Sequence, residues 1–188
     1  VRSRRLGHVY KSQSLYRCLE RPVNISEEGR YFCVYDNRIH EDGGYAYYTD
    51  DWIWDSYRAA HPLRILTDRK KHTDIIRSFL RMSEFSSDHW FPNFPEVTGD
   101  SRRMNCNHGV SVIADAWYKG VRDFDLQKAY TYTKAAIEEK TLAPWSSAKA
   151  GWIDRFYKEK GYIPSLASGE QETVPEVNSF EKRQSVAV

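Results

Sequence analysis

"YYTDDWIWDSYRAAHPL", residues 47–63, sets three acids, two tryptophans, an arginine and a histidine into one short stretch. Its apolar positions Trp52, Ile53, Ala59, Ala60 and Leu63, continued by Leu66, predict a helix over residues 50–66. Pro62 falls inside it, so a kink or break is expected near His61. On such a helix Asp51, Asp55 and Arg58 stand at i, i+4 and i+7 and share a face, with Trp54 and His61 flanking it. Asp55 and Arg58 could form an ordinary ion pair on a wet face, worth roughly a few tenths of a kcal/mol. Against that, the rest of the helix is apolar, and buried charges are costly unless paired or used. A tryptophan beside an aspartate suits a sugar: the ring covers an apolar sugar face and the carboxylate accepts from two hydroxyls. Trp54 and Asp55 are therefore read as sugar contacts. Arg58, a candidate on the same face, is read with His61 as structural support.

Composition fits that reading without requiring it. The 188 residues suffice for one domain, or a piece of something larger, and 14% of them are aromatic. Those rings make either an aromatic core or a carbohydrate site. The 28 basic and 26 acidic residues nearly cancel, so no strong field points to nucleic acid or an anionic membrane. No apolar run approaches a membrane span, and the basic "VRSRRLGHVY" lacks a signal peptide's apolar middle. Cys18, Cys33 and Cys106 have no CxxC spacing and form no evident zinc set.

Outward from residues 50–66 the periodicity is mostly helical. "HVYKSQSLYRCLERP" predicts a helix with Val9, Leu15, Tyr16 and Leu19 on one side. "RYFCVY" and "GYAYYT" predict strands around the turn-rich "DNRIHEDGG", a small β-hairpin excursion near residues 31–49. "TDRKKHTDIIRSFLRMSEF" has one apolar stripe (Ile75, Ile76, Phe79, Leu80) opposite a basic face. "HGVSVIADAWYKG" is apolar nearly all round and ends at Gly120. "DLQKAYTYTKAAIEEK" is amphipathic, and "AGWIDRFYKEKGYIP" is a short helix closed by Gly161 and Pro164. Buried helices (50–66, 109–119) thus alternate with one-sided ones (69–85, 125–139). The expected class is all-α, a partial (α/α)6 toroid of inner and outer helices, with a compact orthogonal bundle as the alternative. "NSFEKRQSVAV" opens as a capping box at Asn178 and Glu181 and stops in apolar residues. Residues 1–188 are accordingly expected to be a single, incomplete part of a larger domain.

Three further segments carry candidate chemistry. Asn107 and His108 precede the apolar helix, where an Asn normally caps; His108 is either a wall residue or a capping histidine. Asp115, inside that helix, is expected to support an Arg or His. "DHWFPNFPE", residues 88–96, either projects His89, Trp90 and Phe91 over a pocket or is a loop pinned by its aromatics. Glu170, Glu172 and Glu176 read as a rim, and not as a metal cage.

"YTDDWIWDSYRAAHPL" resembles the Y-[ST]-x4-W-D-[ST]-[FY]-R-A-x-H-P-L signature of glycoside hydrolase family 92, the calcium-dependent exo-acting α-mannosidases. "NCNHGVSVIADAWYKGVRDFD" is similar to that family's second block, with Gly109 where Ala is usual, a departure read as mild. "KAY", "GYIP" and the final "SV" follow in order. The resemblance implies an (α/α)6 toroid packed on an N-terminal β-sandwich domain, and inverting, calcium-assisted hydrolysis of mannose-containing glycans, of the α-1,2 type. It implies that Trp54 and Asp55 contact the terminal mannose, with Arg58, Asn107, His108, His89 and Trp90 as further substrate-binding candidates. Strings like the family's "EGNAWQY", "GNE" and "GNDD" do not occur here, so the general acid, the base and the Ca2+ ligands are expected downstream of Val188. Family habit implies secretion or a periplasm. Alternatives are another (α/α)6 glycosidase, trehalase- or glucosidase-like, and a non-catalytic helical carbohydrate-binding module.

Overall fold

A computed structural model describes residues 2–104, 106–143 and 146–164. Its elements are the helices α1 (Arg2–Leu19), α2 (Ile53–Ser56), α3 (Ala60–Thr67), α4 (Arg69–Phe85), α5 (His108–Tyr118), α6 (Leu126–Glu139) and α7 (Trp152–Lys160). Six short strands, β1 (Val23–Asn24), β2 (Arg30–Cys33), β3 (Arg38–Glu41), β4 (Tyr48–Thr49), β5 (Pro95–Glu96) and β6 (Gly99–Asp100), pair as β1–β4, β2–β3 and β5–β6, all antiparallel. The chain is mostly helical, as expected. The expected ending at residues 165–188, with its capping box and three glutamates, lies outside the described residues.

The hairpin is shifted from its expected place. β3 forms inside "DNRIHEDGG", while of "GYAYYT" Tyr48 and Thr49 alone are strand, paired with Val23 and Asn24. Residues 34–37 make the turn, and its second half sets the reversal: Asp36 Oδ1 accepts from the Arg38 amide at 3.2 Å, and Asn37 has φ +57°. A short Asx turn followed by a left-handed Asn is a compact way to reverse a strand, so the "turn-rich" segment holds both a turn and a strand.

The single helix over 50–66 is also corrected. It divides into α2 and α3, with the break at Tyr57–Ala59, before His61. Pro62 is the third residue of α3, within the first turn, where its missing N–H would have had no partner. Asp51 lies ahead of α2 and does not share a face with Asp55 and Arg58.

The burial order is reversed from expectation. α4 is the central helix: Ile75, Ile76 and Phe79 are sealed, and so are His72, Thr73, Asp74, Ser78 and Ser83. Those polar residues can be inside because the helix and its neighbours satisfy most of them. Ser78 Oγ donates to the Asp74 carbonyl at 2.7 Å and accepts from the Tyr48 amide at 2.9 Å, which fastens β4 to α4. Asp68 caps the helix by accepting from the Lys71 amide. α5, by contrast, buries Gly109, Val112, Ile113 and Ala116 and leaves Tyr118 89% exposed. On α1, Tyr10, Leu15, Tyr16 and Leu19 are exposed. Among the described residues, no helix is long and apolar enough to cross a membrane.

Candidate functional site

α2 is one turn long, and it points Ile53 inward while leaving Trp54 and Asp55 outside. Its position is fixed from both sides. Asp50 Oδ1 accepts from the Val97 amide, Asp51 N donates to the Pro95 carbonyl and Ile53 N to the Asn93 carbonyl. The loop that receives them is itself folded around Asp100, whose carboxylate accepts from the amides of Asn93, Phe94 and Arg102. The two tryptophans therefore do different things. Trp52 lies under the Arg21 guanidinium, 4.1 Å from its ring centre, and Trp54 keeps 38% of its surface exposed beside the exposed Asp55.

Arg58 follows in the break. Its Nε donates to the Tyr57 hydroxyl at 2.7 Å, and the Tyr57 ring lies parallel to His108 with centres 3.9 Å apart. That stack joins the end of α2 to the first residue of α5 and brings His108 together with Arg58, which stands one helical turn on in sequence from Trp54 and Asp55. Burial, then the Arg58 charge, holds His108 below the usual imidazole range. At neutral pH it presents a neutral ring that can donate and accept. Tyr57, the centre of this arrangement, was not singled out in the sequence; its i+3 spacing from Trp54 was the available signal.

Asn107 occupies the cap position of α5, but its side chain makes no capping bond, against expectation. Its Oδ1 is buried with no hydrogen-bond partner. It borders a recess of about 10 Å³, shared with Asn93, Gly109 and Phe91, with room for one water. A methyl group at Gly109 would lie 2.4 and 2.5 Å from Cδ1 and Cε1 of Phe91. Glycine here is thus not a mild departure, because the Phe91 ring fills the space an alanine needs. Phe91 packs edge-on against Phe79, at 5.9 Å, and cannot simply retreat. Gly109→Ala is expected to lose about 1–2 kcal/mol in urea unfolding, overpacking outweighing the helix propensity gained. Phe91→Leu in the same chain should recover part of it; an unchanged midpoint in Gly109→Ala would refute the clash.

Other candidates fall elsewhere. Trp90 is a buried anchor at 4% exposure: its Nε1 donates to Glu139 at 3.2 Å and Arg102 lies over its ring. It cannot cover a sugar in this arrangement, and the loop is pinned by its aromatics. His89 is exposed, with its Nδ1 3.0 Å from the Ser83 carbonyl and its ring stacked over Tyr132 of α6 at 6.2 Å. Asp115 supports neither an Arg nor a His; it pairs with Lys119 one turn on, at 2.7 Å. Surface grooves of about 370 and 380 Å³ lie by the β2–β3 hairpin and between α4 and α6, and neither is lined by a predicted site residue. Lys140, unremarked in the sequence, is 1% exposed, and burial pushes its ammonium down to about 8.

A calcium ion takes about six to eight oxygen ligands. Among the described residues, the one grouping of three or more His, Cys, Asp and Glu side chains with converging ligand atoms is Cys33, Asp36 and His40. A thiol and an imidazole do not suit calcium, so this grouping does not fit that ion.

Comparison with known proteins agrees with the motif blocks. The family model for the glycosyl hydrolase family 92 catalytic domain matches residues 9–185. The chain is similar to a family GH92 α-mannosidase from Bacteroides thetaiotaomicron, solved in complex with mannoimidazole, at 27% identity and a TM-score of 0.69 over 79% of this chain and 18% of that one. It is also similar to a family GH92 inverting mannosidase from Bacteroides thetaiotaomicron VPI-5482, at 25% identity and a TM-score of 0.64 over 87% of this chain and 20% of that one. The chain thus spans about a fifth of those solved chains. No curated protein matches it.

Proposed function

Since the chain belongs to glycosyl hydrolase family 92, we propose that it is part of an exo-acting α-mannosidase and supplies a wall of the pocket for the terminal mannose. The observation that carries this is the exposed Trp54 next to the exposed Asp55 on a turn pinned from beneath by Ile53 and the Asn93–Val97 loop. Trp54 covers an apolar face of the sugar, and the Asp55 carboxylate accepts from two of its hydroxyls. Arg58 and His108, joined through Tyr57, offer donors to further hydroxyls.

Inverting hydrolysis needs a protonated carboxyl on the glycosidic oxygen and a second carboxylate activating water from the opposite face, roughly 6.5–9.5 Å away. Asp51 is sealed in the core, and Asp55 is the carboxylate assigned to hydroxyls. The acid and base, and the calcium ligands with them, are assigned to parts of the enzyme outside the described residues. The exposed apolar faces of α1 and α5 support packing in the same way: Tyr16 and Tyr118 await a neighbour such as the rest of an (α/α)6 toroid or a β-sandwich domain. By the habit of this family, the enzyme is proposed to be secreted or periplasmic.

The test uses the whole enzyme that carries this chain. It should release mannose from α-1,2-linked mannobiose in preference to other linkages, lose activity in EGTA and regain it with Ca2+. Asp55→Asn should raise KM and lower kcat/KM by about 10- to 100-fold, the value of a charged hydrogen-bond partner, with kcat little changed. Trp54→Ala should act in the same direction. A loss confined to kcat would instead make Asp55 a proton-transfer group.

A further inference from the structure

The β2–β3 hairpin brings together three metal-ligating side chains that the mannose site does not use. Strand register does this. Tyr31 faces His40 and Cys33 faces Arg38, so Cys33 and His40 are diagonal neighbours on one side of the ribbon. Asp36 stands in the turn between them. The ligand atoms of Cys33, Asp36 and His40 all lie within 4.8 Å of one another, and His40 Nε2 is 2.8 Å from Asp36 Oδ2.

From this cluster we infer that the hairpin binds one Zn2+, or a similarly thiophilic divalent cation, through Cys33 Sγ, an Asp36 carboxylate oxygen and His40 Nε2. Sulfur, nitrogen and oxygen donors are the set zinc prefers. In a tetrahedral site with zinc–ligand distances near 2.0–2.3 Å, neighbouring ligand atoms stand about 3.3–3.6 Å apart. The His40–Asp36 pair stands closer than that, at 2.8 Å, and no pair stands farther apart than 4.8 Å, so movements of about 1 Å assemble it.

Entry is open on one side. Cys33 is sealed, whereas the Asp36 and His40 side chains are 24% and 25% exposed, which leaves a fourth position facing solvent for a water ligand. Around the site, His40 is held between Tyr31, stacked at 5.6 Å, and Phe85, at 4.5 Å; Asp36 Oδ1 is held by the Arg38 amide. Such outer contacts orient ligands in metal sites. Binding exchanges the His40–Asp36 hydrogen bond for two metal bonds. The Cys33 thiol gives its proton to water as the sulfur–metal bond forms, and the proton that His40 Nε2 donates to Asp36 passes through water to Nδ1, which frees Nε2 for the metal. The ion would tie both strands and the turn together, and its chemistry is independent of the sugar site.

The experiment is Co2+ titration of the metal-stripped full polypeptide, followed by Zn2+. One equivalent should give a thiolate-to-cobalt charge-transfer band with intense visible bands of a four-coordinate ion, and Zn2+ should abolish both. Cys33→Ser should remove the charge-transfer band, and Asp36→Asn and His40→Gln should weaken Zn2+ binding at least tenfold. With Ca2+ and Mg2+ held at saturation, added Zn2+ should raise the wild-type Tm further, a reading taken on folded protein whether or not a variant folds. Absence of the band and of the Tm shift overturns the site. So does a band that survives in Cys33→Ser, since it would come from Cys18 or Cys106.

Discussion

Stability should fall by about 2 kcal/mol as the pH is lowered from 7 to 5, and by about 3 kcal/mol at pH 4, because of His72 alone. This residue is 0% exposed, and neither ring nitrogen has a hydrogen-bond partner. Burial, then the charges of His61 and Arg64, push its pKa down to about 3. The unfolded chain takes up the proton near pH 6.5 and the folded chain does not. Its contribution is therefore fully present above that pH and drains away as the pH falls toward 3. The check is urea unfolding of wild type and His72→Leu across pH 4.5–7.5. Leucine has nearly the same volume and no polar atoms to strand, so the two proteins should lie within about 1 kcal/mol at neutral pH. The acid limb should be much flatter in the variant. Parallel curves would mean that His72 is protonated, or wetted, in the folded protein.

That histidine also explains what the sequence hid. In "RKKHTDIIRSF" it stands three and four residues before Ile75 and Ile76, on the apolar stripe itself, yet as a histidine among charges it does not count toward that stripe. A hydrophobicity pattern sees residue type, not whether a neighbour such as Tyr48 will satisfy Ser78, so the most buried helix read as a one-sided one. Helix positions along the chain were legible, down to Gly120 and Gly161 with positive φ just past α5 and α7, since local stop signals decide them. The β3 strand was not, because the turn takes residues 34–37, and only Asp36 and Asn37 of these fall in the nine residues over which composition spreads it. At the candidate site, Trp54 and Asp55 were visible as a neighbouring ring and acid. The brace beneath them depends on a loop 40 residues on, around Asp100, and no spacing rule reaches that far.

The same stretch holds the second large expected effect: Asp51→Ala should cost about 3–5 kcal/mol. Asp51 is 1% exposed, and its Oδ2 is 2.7 Å from Nε2 of the equally buried His61. Burial would raise its carboxyl, but His61, through charge and hydrogen bond, and Arg64, through charge, hold it below the usual carboxylate range. Arg64 is sealed as well, with Nη2 donating to the carbonyls of Cys18 and Arg21. Removing the anion strands a buried guanidinium and an unpaired imidazole N–H, and this, more than the lost attraction, is what makes the change expensive. Asp51→Asn keeps the size and an acceptor for His61 and loses the charge facing Arg64, so it should cost less, about 1.5–3 kcal/mol. Equal losses for Ala and Asn in urea unfolding would assign the effect to charge alone, and a wild-type-like Asn variant would remove charge from the account. Because its pKa is lowered, the aspartate's contribution is present above about pH 3.8 and lost below it, at more acid pH than the His72 limb. Asp51 donates its amide to Pro95 and stands four residues before Asp55, so partial loss of this core should also loosen the Trp54–Asp55 turn. In the whole enzyme Asp51→Asn should therefore raise KM at temperatures where the protein is still folded, although its carboxylate never meets the sugar.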